Sequence, residues 1–116
     1  MPYVDGFVAA VPTENKEKYI AHAATVAPLF KEFGALKVVE CWGDDVPDGK
    51  LTSFPMAVKK EVNEVVVFSW VMWPSREVRD EGWKQLMADP RMTTGATPPY
   101  DGKRLIYGGF QTVLEM

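Results

Sequence analysis

The chain is poor in the residues that covalent, redox and metal chemistry draw on. One cysteine among 116 residues excludes an internal disulfide, and with a single histidine beside it a dedicated zinc site has too few ligands. The cysteine, Cys41, falls inside an expected strand and reads as a buried, inert thiol. A surplus of basic residues is also missing. The formal net charge is -3 and the pI near 5.1, so nothing attracts a phosphate backbone globally. Lys59-Lys60 is followed at once by Glu61, and Lys103-Arg104 follows Asp101, as in solvated surface pairs. Nucleic acid is not an expected partner. No run approaches the roughly 18 apolar residues of a membrane span. The opening Met-Pro-Tyr-Val-Asp-Gly has neither the basic start nor the apolar stretch of a signal peptide, so a cytoplasmic protein is expected. The nucleophile elbow, the phosphate-binding glycine loop and the dinucleotide glycine fingerprint are absent as well.

What is present is the material of one folded domain over residues 1–116, 47% hydrophobic and 25% charged. Tyr3 to Val11, rich in β-branched and aromatic residues and stopped by Pro12, reads as a strand. A helix follows, with Thr13 or Asn15 as its cap. Tyr19, Ala23, Val26, Ala27, Phe30 and Phe33 lie along its apolar stripe, and Gly34 sits where a left-handed terminal residue is wanted. Pro28 lies inside it and predicts a kink near Thr25. The second strand is Ala35 to Trp42. After a long polar connection punctuated by Gly43, Pro47, Gly49 and Pro55, the third is Glu64 to Trp73, apolar on both faces. Ser75 caps a second helix that carries Val78, Gly82 and Leu86 and ends before Pro90; a loose segment spans Thr93 to Pro99, and Leu105 to Val113 is the last strand.

The order β-α-β-β-α-β predicts an α+β, ferredoxin-like domain: two helices on one face of a four-stranded antiparallel sheet. The other face is left open. A face bearing Val65, Val67 and Val71 is costly in water, so a homodimer is expected.

Five stretches carry a family resemblance: Tyr-Val-Asp-Gly-Phe-Val at 3–8, Ala-Leu-Lys-Val-Val-Glu-Cys-Trp-Gly-Asp-Asp-Val-Pro-Asp-Gly-Lys at 35–50, Val-Val-Phe-Ser-Trp at 66–70, Met-Ala-Asp-Pro-Arg-Met at 87–92 and Tyr-Asp-Gly-Lys-Arg-Leu-Ile-Tyr-Gly-Gly-Phe at 100–110. In this order they resemble the DUF1428 family of short bacterial proteins across nearly the whole chain. The resemblance implies membership of the dimeric α/β-barrel superfamily, which includes cofactor-free monooxygenases and muconolactone isomerase-like enzymes. It transfers no catalytic motif residue by residue.

Candidate site residues come from strand parity. Leu36, Val38, Glu40 and Trp42 share one face, which makes Glu40 an ionisable group among apolar neighbours. Such a carboxylate takes a cation, hydrogen-bond donors or a proton, and desolvation pushes its pKa towards acid–base use. Glu40 is either a general base or half of a structural ion pair. Asp5, between Tyr3 and Phe7, is the second candidate; the neighbouring Gly6 suggests a bulge in which Asp5 bonds a local amide instead. Trp42, Trp70 and Tyr107 form an expected apolar ligand wall, Ser69 and Tyr107 each add a hydroxyl if their parities face the same way, and His22 borders the first helix stripe as core edge or pocket base. Gly108 and Gly109 leave space for a pocket or for a packing neighbour.

The acidic loop 44–50 invites a calcium reading that its spacing defeats. An EF-hand starting at Asp44 would have Val46 and Pro55 at ligand positions, so Asp-Asp-Val-Pro-Asp-Gly is turn chemistry. No metal and no cofactor is expected. Two functional readings remain: a small-molecule-binding domain, as a cofactor-independent enzyme using carboxylates, and a non-catalytic dimeric interaction or regulatory module.

Overall fold

A computed structural model describes residues 1–93 and 98–116. Strand β1 (Tyr3–Pro12) leads through a single 3-10 turn into helix α1 (Lys16–Glu32), then strand β2 (Lys37–Trp42), the short helix α2 (Phe54–Ala57) and strand β3 (Glu64–Trp73). Helix α3 (Arg76–Ala88), a further short helix α4 (Pro90–Thr93) and strand β4 (Ile106–Gln111) complete the chain. The sheet order is β2-β3-β1-β4, antiparallel at every pairing. The α+β class, the ferredoxin-like order and the antiparallel sheet are as the sequence predicts. The expected loose segment at 93–99 lies partly outside the described residues.

Element ends follow local chemistry, with one correction. Gly34, at φ 115°, closes α1: its amide donates to the Lys31 carbonyl and that of Ala35 to the Phe30 carbonyl, which satisfies carbonyls left open at a helix end. The Ser75 hydroxyl accepts from the Val78 amide at 3.2 Å, the N-cap bond expected for α3. The caps expected of Thr13 and Asn15 do not form. Thr13 donates to the Asn63 carbonyl, and Asn15 donates to the Pro99 carbonyl at 3.2 Å, so both side chains tie α1 to distant loops instead. Helix α1 runs unbroken through Pro28.

Register assigns the two sheet faces. Tyr3, Asp5, Phe7, Ala9 and Val11 of β1 lie opposite Trp73, Val71, Ser69, Val67 and Val65 of β3. Val38, Glu40 and Trp42 of β2 extend the same rows. This is the face the helices cover: Leu29 and Phe30 of α1 and Leu86 of α3 pack with Val71 and Trp73, while Tyr19 packs with Ala9, Val11 and Val67. The face expected to need a second subunit, that of Val67 and Val71, is therefore inside the protomer. The open face instead carries Phe68, Trp70 and Met72, with Val4, Ile106 and Phe110 beside them. One end of it is closed by Val58, which follows α2 and packs on Val8, Ala10 and Val66.

Gly82 occupies the closest approach between α3 and the sheet. A Cβ there would stand 2.5 Å and 2.7 Å from two atoms of the Trp73 indole and 2.9 Å from the Phe33 carbonyl oxygen, and Trp73 is 0% exposed and cannot move aside. Gly82→Ala should therefore destabilise the protein by about 1–3 kcal/mol, overriding the roughly 1 kcal/mol that alanine gains in a helix interior. A urea midpoint at or above that of the parent would show that this contact has slack.

Candidate functional site

Glu40 lies on β2, an edge strand of the sheet among the described residues, and is exposed. Its carboxylate is met from the helix layer. The Tyr19 hydroxyl of α1 donates to Glu40 Oε1, and the Ser69 hydroxyl of β3, directly across the ladder, lies alongside both groups. Among the described residues no lysine or arginine forms an ion pair with Glu40. Burial raises its pKa above the ordinary 4.5, opposed by the Tyr19 and Ser69 hydrogen bonds and by the field of His22. Burial, and then the Glu40 hydrogen bond and charge, push the Tyr19 phenol above its usual range. Tyr100 is shifted upward too, by burial first and by Glu40 second.

Aromatic rings gather around the tyrosine that bonds this carboxylate. Tyr19 lies between Trp42 and Tyr100, with ring centroids 6.1 Å away in each case, and His22 meets Tyr100 edge-on at 6.4 Å. The Lys16 ammonium, three residues before Tyr19 on α1, stands 5.6 Å from the centre of the Trp42 ring.

Asp5 has a different setting. It is 3% exposed and accepts from four side-chain groups: the Trp73 indole at 3.0 Å, the Trp83 indole at 2.8 Å, and Arg79 Nε at 3.1 Å and Nη2 at 2.7 Å. Arg79 in turn covers the Tyr3 ring at 5.1 Å and pairs with Asp80. A carboxylate so engaged fixes α3 to β1 and has no room to take a substrate proton. The bulge expected at Gly6 does not form, since β1 keeps its register through Gly6 to both neighbours. Asp5 aligns with Val71 and Glu40 with Ser69, and the first carboxylate is bonded by α3 while the second is bonded by α1. The two expected acids do not share a site.

Of the other expected residues, Trp42, Ser69 and His22 gather around Glu40. Trp70 does not: it projects from the open face, on the far side of the sheet, because β3 alternates and Ser69 takes the helix side. Tyr107 shares the helix-side row through Phe7, on which it stacks at 6.5 Å, but is 76% exposed. Packing fills the space over the glycines of β4. A Cβ at Gly109 would strike Arg79 and Tyr3 at 2.6 Å, and Gly108 lies under the Phe110 ring. Arg104 pairs with Asp101 as expected, and also grips buried Glu64 through two bonds of 2.8 and 2.7 Å. Sequence reasoning took Tyr19 for a core residue and did not see Tyr100, which follows Pro98-Pro99 outside any periodic stretch.

The open face holds a shallow apolar depression of about 550 Å³. Val4, Val8, Trp70, Met72, Ile106 and Phe110 line it, with Phe68 at its edge 42% exposed. Cys41 lies on this side of β2, and no helix among the described residues is long and apolar enough to cross a membrane.

These features define a ferredoxin-like α+β protein whose open sheet face and helix-side carboxylate lie on opposite faces of the sheet. The chain belongs to the family described as "Protein of unknown function (DUF1428)", which matches residues 2–102. It is 60% identical over 116 residues to the Escherichia coli K12 protein named "Uncharacterized protein YbaA", covering 99% of each chain, and to the Shigella flexneri protein of the same name to the same extent. Solved structures share the fold at lower identity. A mutant of MhuD with two manganese protoporphyrin IX molecules per active site superimposes with a TM-score of 0.62 at 15% identity, over 98% of this chain and 97% of that one. A dimeric ferredoxin-like protein from an uncultured marine organism gives 0.58 at 15% identity over 100% of both chains. The haem degrader MhuD of Mycobacterium tuberculosis, with two haems bound in its active site, gives 0.52 at 17% identity over 97% and 98%.

Proposed function

We propose that this chain binds a small molecule against Glu40 and acts on it by cofactor-independent acid–base chemistry, with the Glu40 carboxylate exchanging the proton and Tyr19 and Ser69 holding it in place. One observation carries the reading: the Glu40 carboxylate takes the Tyr19 hydroxyl, has the Ser69 hydroxyl beside it and has no paired cation among the described residues, while desolvation raises its pKa. A structural carboxylate in this fold looks like Asp5 or Glu64, each gripped by an arginine. Glu40 keeps acceptor capacity for a ligand.

Haem is not taken as the ligand, although two of the similar structures hold porphyrins. A porphyrin brings two carboxylates of its own, and among the described residues no arginine or lysine paired at Glu40 would receive them. Lys16 of α1 is already placed over Trp42.

The test is native mass spectrometry of the purified protein after exposure to a bacterial metabolite extract. The parent should retain a small-molecule mass, and Glu40→Gln should retain about tenfold less or none, since one lost charged hydrogen bond is worth about 1.5–3 kcal/mol. Equal retention by the two proteins would remove Glu40 from the site.

A second reading concerns assembly, and the apolar depression on the open face favours it. A second copy of the chain covering Phe68, Trp70 and Phe110 would remove that surface from water and form a homodimer with the sheets face to face.

A further inference from the structure

We propose that Glu40, Trp42 and Tyr100 receive a small organic ammonium ion, its charge held between a carboxylate and aromatic ring faces. This rests on the reading of Glu40 as a ligand-facing group and adds the chemical class of the ligand.

Three observations converge. The carboxylate lacks an ion-pair partner among the described residues, so a positive ligand would supply what the fold withholds there. The walls are rings. Trp42 and Tyr100 flank Tyr19 at 6.1 Å each, and such rings present a negative face to a cation. The third observation is the most direct: an ammonium already uses this surface, since Lys16 stands 5.6 Å from the Trp42 ring centre. Lys16 is thus an internal stand-in for the ligand, and it competes with it.

Other ligand classes fit less well. An anion would approach an ionised carboxylate that has no paired cation among the described residues. A metal ion would want several hard donors, and among the described residues no group of three or more His, Cys, Asp or Glu is placed to hold one. A neutral molecule would leave the carboxylate charge unmatched. An alkylammonium is apolar in its substituents and charged at its centre, which suits an aromatic wall closed by one acid.

The site should respond to pH in one direction. Glu40 is faced by Tyr19 and His22 of α1, by Ser69 of β3 and by Tyr100, with Lys16 nearby. Burial raises the Glu40 pKa, so a protonated, uncharged fraction persists above the usual carboxylate range. Affinity for a cation should rise as pH climbs through that raised pKa.

The experiment is an NMR titration of the full chain with choline and, in parallel, with its uncharged isostere in which carbon replaces the quaternary nitrogen. Choline should shift the Trp42 indole signal saturably, the isostere should bind about tenfold more weakly or not at all, and Glu40→Gln should lose about the same factor. Lys16→Met should bind choline more tightly than the parent, because it frees the Trp42 face and removes a competing charge. Equal affinity for the isostere would overturn the proposal, as would an unchanged Glu40→Gln titration or no saturable shift in both the parent and Lys16→Met. If choline fails while a metabolite is still retained in a Glu40-dependent way, the ammonium class alone falls and the binding site stands.

Discussion

Asp5→Ala should lower the unfolding free energy by about 3–5 kcal/mol, the range for breaking a buried ion pair from one side. The loss comes from what is left behind. Arg79 keeps its charge with 22% of its side chain exposed, and the indole donors of Trp73 and Trp83 lose their shared acceptor. Water can relieve Arg79 in part. It cannot reach Trp73, which is 0% exposed. Asp5→Asn should cost less, about 1–3 kcal/mol, because the amide oxygen still accepts one or two of these bonds. Adding Arg79→Met to Asp5→Ala should recover part of the loss by removing the orphaned charge. Urea denaturation of the four proteins measures this, and a loss below about 1 kcal/mol for Asp5→Ala would show that the indoles find other acceptors.

Placing aspartates on the open sheet face should have the largest effect on assembly. Phe68 and Trp70 project from β3 on the side the helices leave bare, beside Phe110, which is 60% exposed. Aromatic anchors at the centre of an interface are each worth about 2 kcal/mol or more, so Phe68→Asp with Trp70→Asp should raise the dimer dissociation constant by about a thousandfold. Sedimentation velocity should then find a dimer for the parent and a monomer for the double variant at micromolar concentration. The circular dichroism should be retained, because both side chains lie outside the helix-side core. A parent that sediments as a monomer would refute the homodimer.

How much of this was legible in the sequence depended on how far each signal reaches along the chain. Strand β3 was legible to the residue, Glu64 to Trp73, because its β-branched run is bounded by polar and proline positions. Gly34 and Ser75 were legible because end signals act within a few residues. Helix α2 was missed. Its four residues are announced only by the Ser53 cap and Pro55, and its place is set by Phe54 against Phe68 and by Val58 on the sheet, contacts that no local pattern encodes. The phase of β3 was equally hidden. Alternation assigns faces when one face is polar; here both are apolar, so Trp70 was grouped with Glu40 although it points away. Asp5 was misread for a third reason: its partners lie 68 to 78 positions downstream. Glu40 could be singled out from parity alone, but its hydroxyl partner was concealed in a helix stripe that otherwise marks core.

Strand β3 serves two surfaces with a single alternation: Val67, Ser69 and Val71 face the helices, and Phe68, Trp70 and Met72 face outward. Substitutions can therefore alter the carboxylate site or the open face one at a time, since no side chain of this strand belongs to both. Insertions and deletions cannot. One residue gained or lost in β3 would put Ser69 outside and an indole under α1, exchanging the two surfaces at a stroke. Divergence of this domain is thus free along the strand in residue identity and locked in strand length, so lineages can change the surroundings of Glu40 and the open face independently only while the spacing from Glu64 to Trp73 is kept.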